Sequence, residues 1–173
     1  MVARAYIGLG SNLAHPRRQL ARALWRIAGL RGVRVVARSP SYASAPVGGI
    51  PQPDYINAVA AIDTTLAPRA LLERLHAIER AAGRRRDAST PRNSARTLDL
   101  DLLLYDGRRA RLPMLTLPHP RMHERAFVLR PLADIAPAVT IPGRGLARRF
   151  LAGVRDQRIA RTRTAFPHVK SGR

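Results

Sequence analysis

Ala5–Gly10 (AYIGLG) is a short apolar run that ends in glycine and leads into Ser11 and Asn12, the pattern of a buried strand followed by a turn. Pro16 then suits a first helical turn, and Leu20, Ala23, Leu24 and Ile27 recur at helical spacing until Gly29 and Gly32 close the segment. Val33–Ala37 reads as a second strand and Asn57–Thr64 (NAVAAIDT) as a third. Between them lies a stretch rich in Pro and Gly, Pro40–Pro53, which reads as a functional loop because patterned sequence resumes at once. Pro68 opens a second helix with Leu71, Leu72, Leu75 and Ile78 on one stripe and Gly83 at its end. Arg84–Arg96 has no apolar period, so an exposed, mobile loop is expected there. Thr97–Tyr105 (TLDLDLLLY) alternates as a strand and meets a hairpin turn at Asp106-Gly107. A short helical segment follows near Pro120 within Leu117–Leu132, and Gly145–Gly153 reads as a last helix. One domain over residues 1–154 is expected, with a basic tail over 155–173 that frays and contributes only weak, salt-sensitive polyanion binding.

Composition narrows the class. A 46% hydrophobic and 24% charged chain of 173 residues is globular in type, and no apolar run reaches the ~20 residues of a membrane span. The start has no signal-peptide layout, and without cysteine there is no disulfide, thiolate metal site or cysteine nucleophile. A cytoplasmic protein is expected. The net charge is +20, and of 31 Lys and Arg residues all but Lys170 are arginine. Such a field attracts polyanions, and the guanidinium fork suits phosphate. A codon bias toward arginine would raise the same number without any ligand.

Chemistry concentrates around one strand. Asp99 and Asp101 stand at i and i+2, so both carboxylates share a face while Leu98, Leu100 and Leu102 take the other. Two adjacent carboxylates suit a hard cation such as Mg²⁺, which keeps water and phosphate oxygens in its shell. A D-x-D pair alone is more often a solvated strand face with two ordinary acids. Here Arg84, Arg86 and Arg96 precede the pair and His119 follows it, which outlines a triphosphate site. No G-x-x-x-x-G-K-[ST] run and no kinase H-R-D or D-F-G motif is present.

YIGLGSNL, PDYINAV, RTLDLDLLLY and LPHPRMHERAFVLRPL, in that order, resemble the 6-hydroxymethyl-7,8-dihydropterin pyrophosphokinases of folate biosynthesis over about Ala5–Pro142. The resemblance implies an α+β fold, a ferredoxin-like αβα sandwich with an antiparallel sheet and helices on its faces. It implies ATP-dependent transfer of pyrophosphate to the pterin, with two Mg²⁺ ions on Asp99 and Asp101 and with Arg84 and Arg86 as catalytic loop arginines. Glu79, Arg86, Arg96, Thr116, His119 and Arg125 match ATP-site residues. Tyr55 and Phe127 match two aromatic walls for the pterin, Asn57 its hydrogen-bond partner, and Ser44 and Val47 contacts to its ring. A monomer with no membrane and no specific nucleic-acid partner is expected. Asn93-Ser94-Ala95 replaces the family's usual Trp-Gly-Pro, and Met114 stands where some members carry a base. A paralogue acting on another pterin, or an arginine-rich nucleic-acid-binding module, remains the alternative; the second predicts exposed aromatics among the bases, and aromatics are only 5%.

Overall fold

The computed structural model describes residues 1–48, 51–84 and 94–163. Its centre is β1 (Ala3–Ser11), flanked by β4 (Tyr55–Thr64) and β5 (Asp99–Tyr105), both antiparallel to it. Two further strands lie in succession along the outer edge of β4: β3 (Tyr42–Ser44) beside its start and β2 (Val33–Arg38) beside its end. Pro40 lacks a backbone donor, so the ladder breaks between them. Ser39 bridges the gap, its hydroxyl accepting from Val59 N–H at 2.9 Å and its own N–H donating to Val59 C=O at 2.8 Å. Helix α1 (Pro16–Ala28) joins β1 to β2, and α2 (Pro68–Ala81) joins β4 to β5. The order β5–β1–β4–β2/β3 with these two crossovers is the expected ferredoxin-like α+β arrangement.

Strand alternation sorts the core into two layers. Ile7, Leu9, Ala58, Ala60, Ile62, Leu100 and Leu102 point to the side covered by α1 and α2, where Leu20, Ile27, Leu71 and Leu75 are fully buried. Val59, Leu103 and Leu104 belong to the opposite layer, under α3 (Ala126–Ile135) and two 3-10 segments, Met122–Glu124 and Ala147–Val154. A β6–β7 hairpin (Ala110–Leu112 with Leu115–Leu117) follows β5, and β8 (Thr140–Ile141) pairs with β9 (Gly145–Leu146). Among the described residues no helix is long and apolar enough to cross a membrane.

Several expectations change. The helical segment expected near Pro120 extends as α3 to Ile135, with Pro131 buried inside it, and the helix expected over Gly145–Gly153 is 3-10. The loop expected over Pro40–Pro53 contains β3. The segment 155–163 does not fray: β10 (Ile159–Arg161) pairs antiparallel with β3 and extends the sheet. Thr162 reinforces that edge, its N–H donating to Ser41 C=O at 2.9 Å while the two hydroxyls stand 2.6 Å apart.

Candidate active site

The α3 face of the sheet carries the polar residues. In register, Gly10 of β1 lies between Asn57 of β4 and Asp99 of β5, and Gly8 lies between Val59 and Asp101. Two glycines at alternate positions leave the middle strand bare on this face. A trough therefore runs between the Asn57 row and the carboxylate row. The fit is close, since a Cβ at Gly10 would stand 3.2 Å from Asn57 Oδ1 and one at Gly8 3.4 Å from Leu103. Asp99 and Asp101 share the open face, with Leu98, Leu100 and Leu102 almost fully buried behind them.

The two carboxylates have different surroundings. Arg84 donates to Asp99 and to Glu79 through the same nitrogen, and Arg96 Nη1 donates to Asp99 Oδ2 at 2.7 Å. Burial works to raise the Asp99 carboxyl, but the two guanidiniums outweigh it and hold the group below its ordinary value. Among the described residues Asp101 has only long contacts, 3.7 Å to Arg125 Nη1 and 3.8 Å to His119 Nε2. Burial, and then the neighbouring Asp99 charge, push Asp101 up to about 7. His119 is driven down to about 4, by burial first and by Arg125 and Arg121 next, so its ring is neutral at pH 7. Its Nδ1 accepts from Arg121 N–H at 3.3 Å, which leaves the proton on Nε2, facing Asp101. With a neutral ring the 3.8 Å contact is not an ion pair.

A cavity of about 390 Å³ opens over the trough. All five residues proposed from sequence for the pterin line it: Ser44, Val47, Tyr55, Asn57 and Phe127, together with Arg96, Asp99, Asp101 and Arg125. Asn57 Nδ2 donates to Ser44 Oγ at 2.8 Å, and the Tyr55 hydroxyl donates to Ser94 C=O at 3.0 Å. The Arg125 guanidinium lies 5.4 Å from the centroid of the Phe127 ring. Asn12, only 3% exposed, ties the two loops above the trough. Its side chain donates to Gln52 Oε1 at 2.9 Å and to Pro53 C=O at 3.0 Å, and accepts from Arg96 N–H at 2.8 Å.

Other sequence-based candidates sit elsewhere. Thr116 on β7 and His119 line a neighbouring cleft of about 790 Å³ with Arg109, Arg111 and Arg144, so His119 stands at the partition between the two cavities. Glu79 lines neither. It is 1% exposed, and its carboxylate accepts from Leu100 N–H at 2.8 Å besides holding Arg84. The loop expected to be exposed over Arg84–Arg96 is turned inward at both ends, since Arg84 and Arg96 are drawn onto Asp99. Arg86 lies outside the described residues. Sequence reasoning passed over Gly8, Gly10, Arg121, Glu124, Gln157 and Arg158, all of which line the main cavity. The glycines alone carried a signal, as two bare positions of one parity in a strand.

Fold and site together give an α+β domain in which paired carboxylates and arginines gather at one cavity, and the sequence has no P-loop motif. The family model 7,8-dihydro-6-hydroxymethylpterin-pyrophosphokinase (HPPK) matches residues 6–137. A 2-amino-4-hydroxy-6-hydroxymethyldihydropteridine pyrophosphokinase of Pseudomonas aeruginosa is 51% identical over 153 residues, covering 88% of this chain and 93% of its own. One of Haemophilus influenzae is 43% identical over 155 residues, covering 90% and 95%. The chain belongs to this family of folate-synthesis pyrophosphokinases. Its fold also matches the solved Plasmodium falciparum HPPK-DHPS with pterin and p-hydroxybenzoate, at TM-score 0.68 and 14% identity. That match covers 88% of this chain and 43% of the longer one.

Proposed function

We propose that the chain joins its two substrates across the partition at His119, with ATP reaching in from the Thr116 side and the pterin lying in the cavity over Gly8 and Gly10. The hydroxymethyl oxygen of 6-hydroxymethyl-7,8-dihydropterin attacks the β-phosphorus of ATP. The bond between the α,β-bridging oxygen and that phosphorus breaks, AMP leaves, and the hydroxyl proton is released. The observation that carries this reading is the convergence of the five pterin candidates and both aspartates on one cavity. A flat, polar-edged ring suits two aromatic walls, Tyr55 and Phe127, with Asn57 and Ser44 at its edge.

The donor set fits magnesium. Two carboxylates share one face, and among the described residues no side chain lies within hydrogen-bond distance of the Asp101 carboxylate. Asp99 and Asp101 would hold two Mg²⁺ ions, which neutralise phosphate charge when bound. The chain's own residues then orient and neutralise. Arg96 and Arg84 move from Asp99 toward the phosphates, and Arg125 spans the junction between Asp101 and Phe127. Neutral His119 donates through Nε2, and Arg86 joins from the loop. Positioning of this kind supplies most of the acceleration in phosphoryl transfer. Both walls of the cavity come from one chain, so a monomer suffices. A cytoplasmic enzyme with no specific nucleic-acid partner completes the proposal.

The direct test is AMP release from ATP that depends on both Mg²⁺ and the hydroxymethyldihydropterin. No pterin-dependent AMP, together with salt-resistant binding to one nucleic-acid sequence, would favour the binding-module reading instead. The bare trough makes a second prediction. Gly10→Ala presses on Asn57 Oδ1 and should raise the pterin Kd about tenfold, with the ATP Kd nearly unchanged. Fluorescence titration of the pterin reads this directly, and equal affinity in the variant would remove Gly10 from the binding floor.

A further inference from the structure

The segment between the last 3-10 turn and β10 touches three separate parts of the cavity wall. The side-chain nitrogen of Gln157 donates to Glu124 C=O at 2.8 Å, and its side-chain oxygen accepts from Ala126 N–H at 2.8 Å. Arg158 C=O accepts from Ala45 N–H at 3.2 Å, beside Ser44. The Arg158 guanidinium grips Asp54 through two bonds, at 2.6 and 2.8 Å, next to Tyr55. Three consecutive residues, completed by Ile159 paired with Ser44, therefore bind the ring loop, the Tyr55 wall and the Phe127 wall to one another.

The Gln157 contact is the most selective of these. Its two bonds land on backbone groups on either side of Arg125, which is held extended at φ −123° and ψ 112° between a 3-10 turn and α3. The Ala126 N–H belongs to the first turn of α3, where no carbonyl within the helix is available. A primary amide offers a donor and an acceptor a short distance apart, which matches a C=O and an N–H two residues apart; a carboxylate can only accept. Arg125 is the residue poised over Phe127 and toward Asp101.

We infer that Gln157 is a positioning residue, which clamps the backbone around Arg125 so that its guanidinium and the Phe127 ring face the reacting groups. This inference rests on the pyrophosphokinase reading. Gln157 itself touches no reacting atom, and its effect passes through Arg125.

The test uses the full chain and compares Gln157→Ala and Gln157→Glu with wild type in pterin binding, turnover and melting temperature. The glutamate variant keeps the bond from Ala126 N–H and sets an acceptor against Glu124 C=O, so it preserves bulk should the alanine variant fold poorly. Both should lower kcat/KM about tenfold. The loss should appear in kcat and in the pterin KM, and in the ATP KM only as far as Arg125→Ala itself raises it. Most of it should vanish when Arg125→Ala is already present, because the two residues then act as one unit. Unchanged kcat/KM in both variants overturns the inference, as does a loss that persists in full without Arg125. Wild-type chain that binds no pterin overturns the functional reading and this inference together, whereas wild-type turnover matched by Gln157→Glu and Gln157→Ala overturns the inference alone.

Discussion

Asp101→Asn should abolish pyrophosphoryl transfer and yet melt no lower than wild type at pH 8, whereas Asp99→Asn should abolish transfer and melt lower. The expected loss of turnover is about a thousandfold or more for each, the scale on which removal of a transition-state charge stabiliser acts. The stabilities diverge because the partners differ. Asp99 is the common acceptor of Arg84 and Arg96, so its neutral form leaves two guanidiniums facing each other; its side chain is 24% exposed, which limits the cost to about 1–2 kcal/mol. Among the described residues Asp101 makes no direct bond to a cation, and it sits beside Asp99.

An acid raised on folding takes up protons as the chain folds. Asp101, pushed up to about 7 from an ordinary value near 4, therefore weakens the fold progressively as pH rises between those two values, and the full penalty persists above. Asparagine removes that penalty. Calorimetry without divalent metal should show the variant at or above wild type at pH 8, with the gap closing below about pH 5. Full turnover of Asp101→Asn at saturating Mg²⁺ and ATP would remove the aspartate from the metal site. A lower melting temperature at pH 8 would show that its charge is compensated.

The contrast between these neighbouring residues marks how far sequence carries. Strict alternation in TLDLDLLLY was enough to set both aspartates on one face, and β5 has the leucines buried behind them. Nothing local separates Asp99 from Asp101, because the difference comes from where Arg84, Arg96 and Arg125 arrive from other elements. Glu79 shows the same limit. Its helical position is compatible with the rim of a nucleotide site, but the chain turns it inward to anchor Leu100 N–H and Arg84. Periodicity was weakest where elements are short or contain proline. The segment expected within Leu117–Leu132 runs on through Pro131 to Ile135 as α3. β10 is a three-residue edge strand inside an arginine-rich stretch, and its partner β3 lies more than a hundred residues earlier. Only the long-range pairing, with the Asp54–Arg158 tie, shows that this segment builds the cavity rather than trailing from it.

Arg84→Lys and Arg96→Lys should each lower turnover by at least about tenfold, which corresponds to roughly 1.4 kcal/mol in the barrier. Charge is conserved in both, so the loss measures geometry. Arg96 donates from Nε to Ser94 C=O at 3.2 Å and from Nη1 to Asp99 at 2.7 Å, which fixes the guanidinium plane between loop and strand. Arg84 divides its contacts between Glu79 and Asp99, and burial is outweighed by those two carboxylates in keeping it charged. An ammonium is a compact point charge on a flexible stem, and it cannot present a planar pair of donors to phosphate oxygens. If the arginines act on the phosphates during transfer, as proposed, steady-state kinetics at saturating ATP should place the loss in kcat. Arg163→Lys, at an exposed position outside both cavities, should leave turnover within about twofold, since exposed substitutions away from a site rarely matter. If the two site variants keep full activity, diffuse positive charge is enough, and the +20 of the chain would account for phosphate binding without any fixed fork.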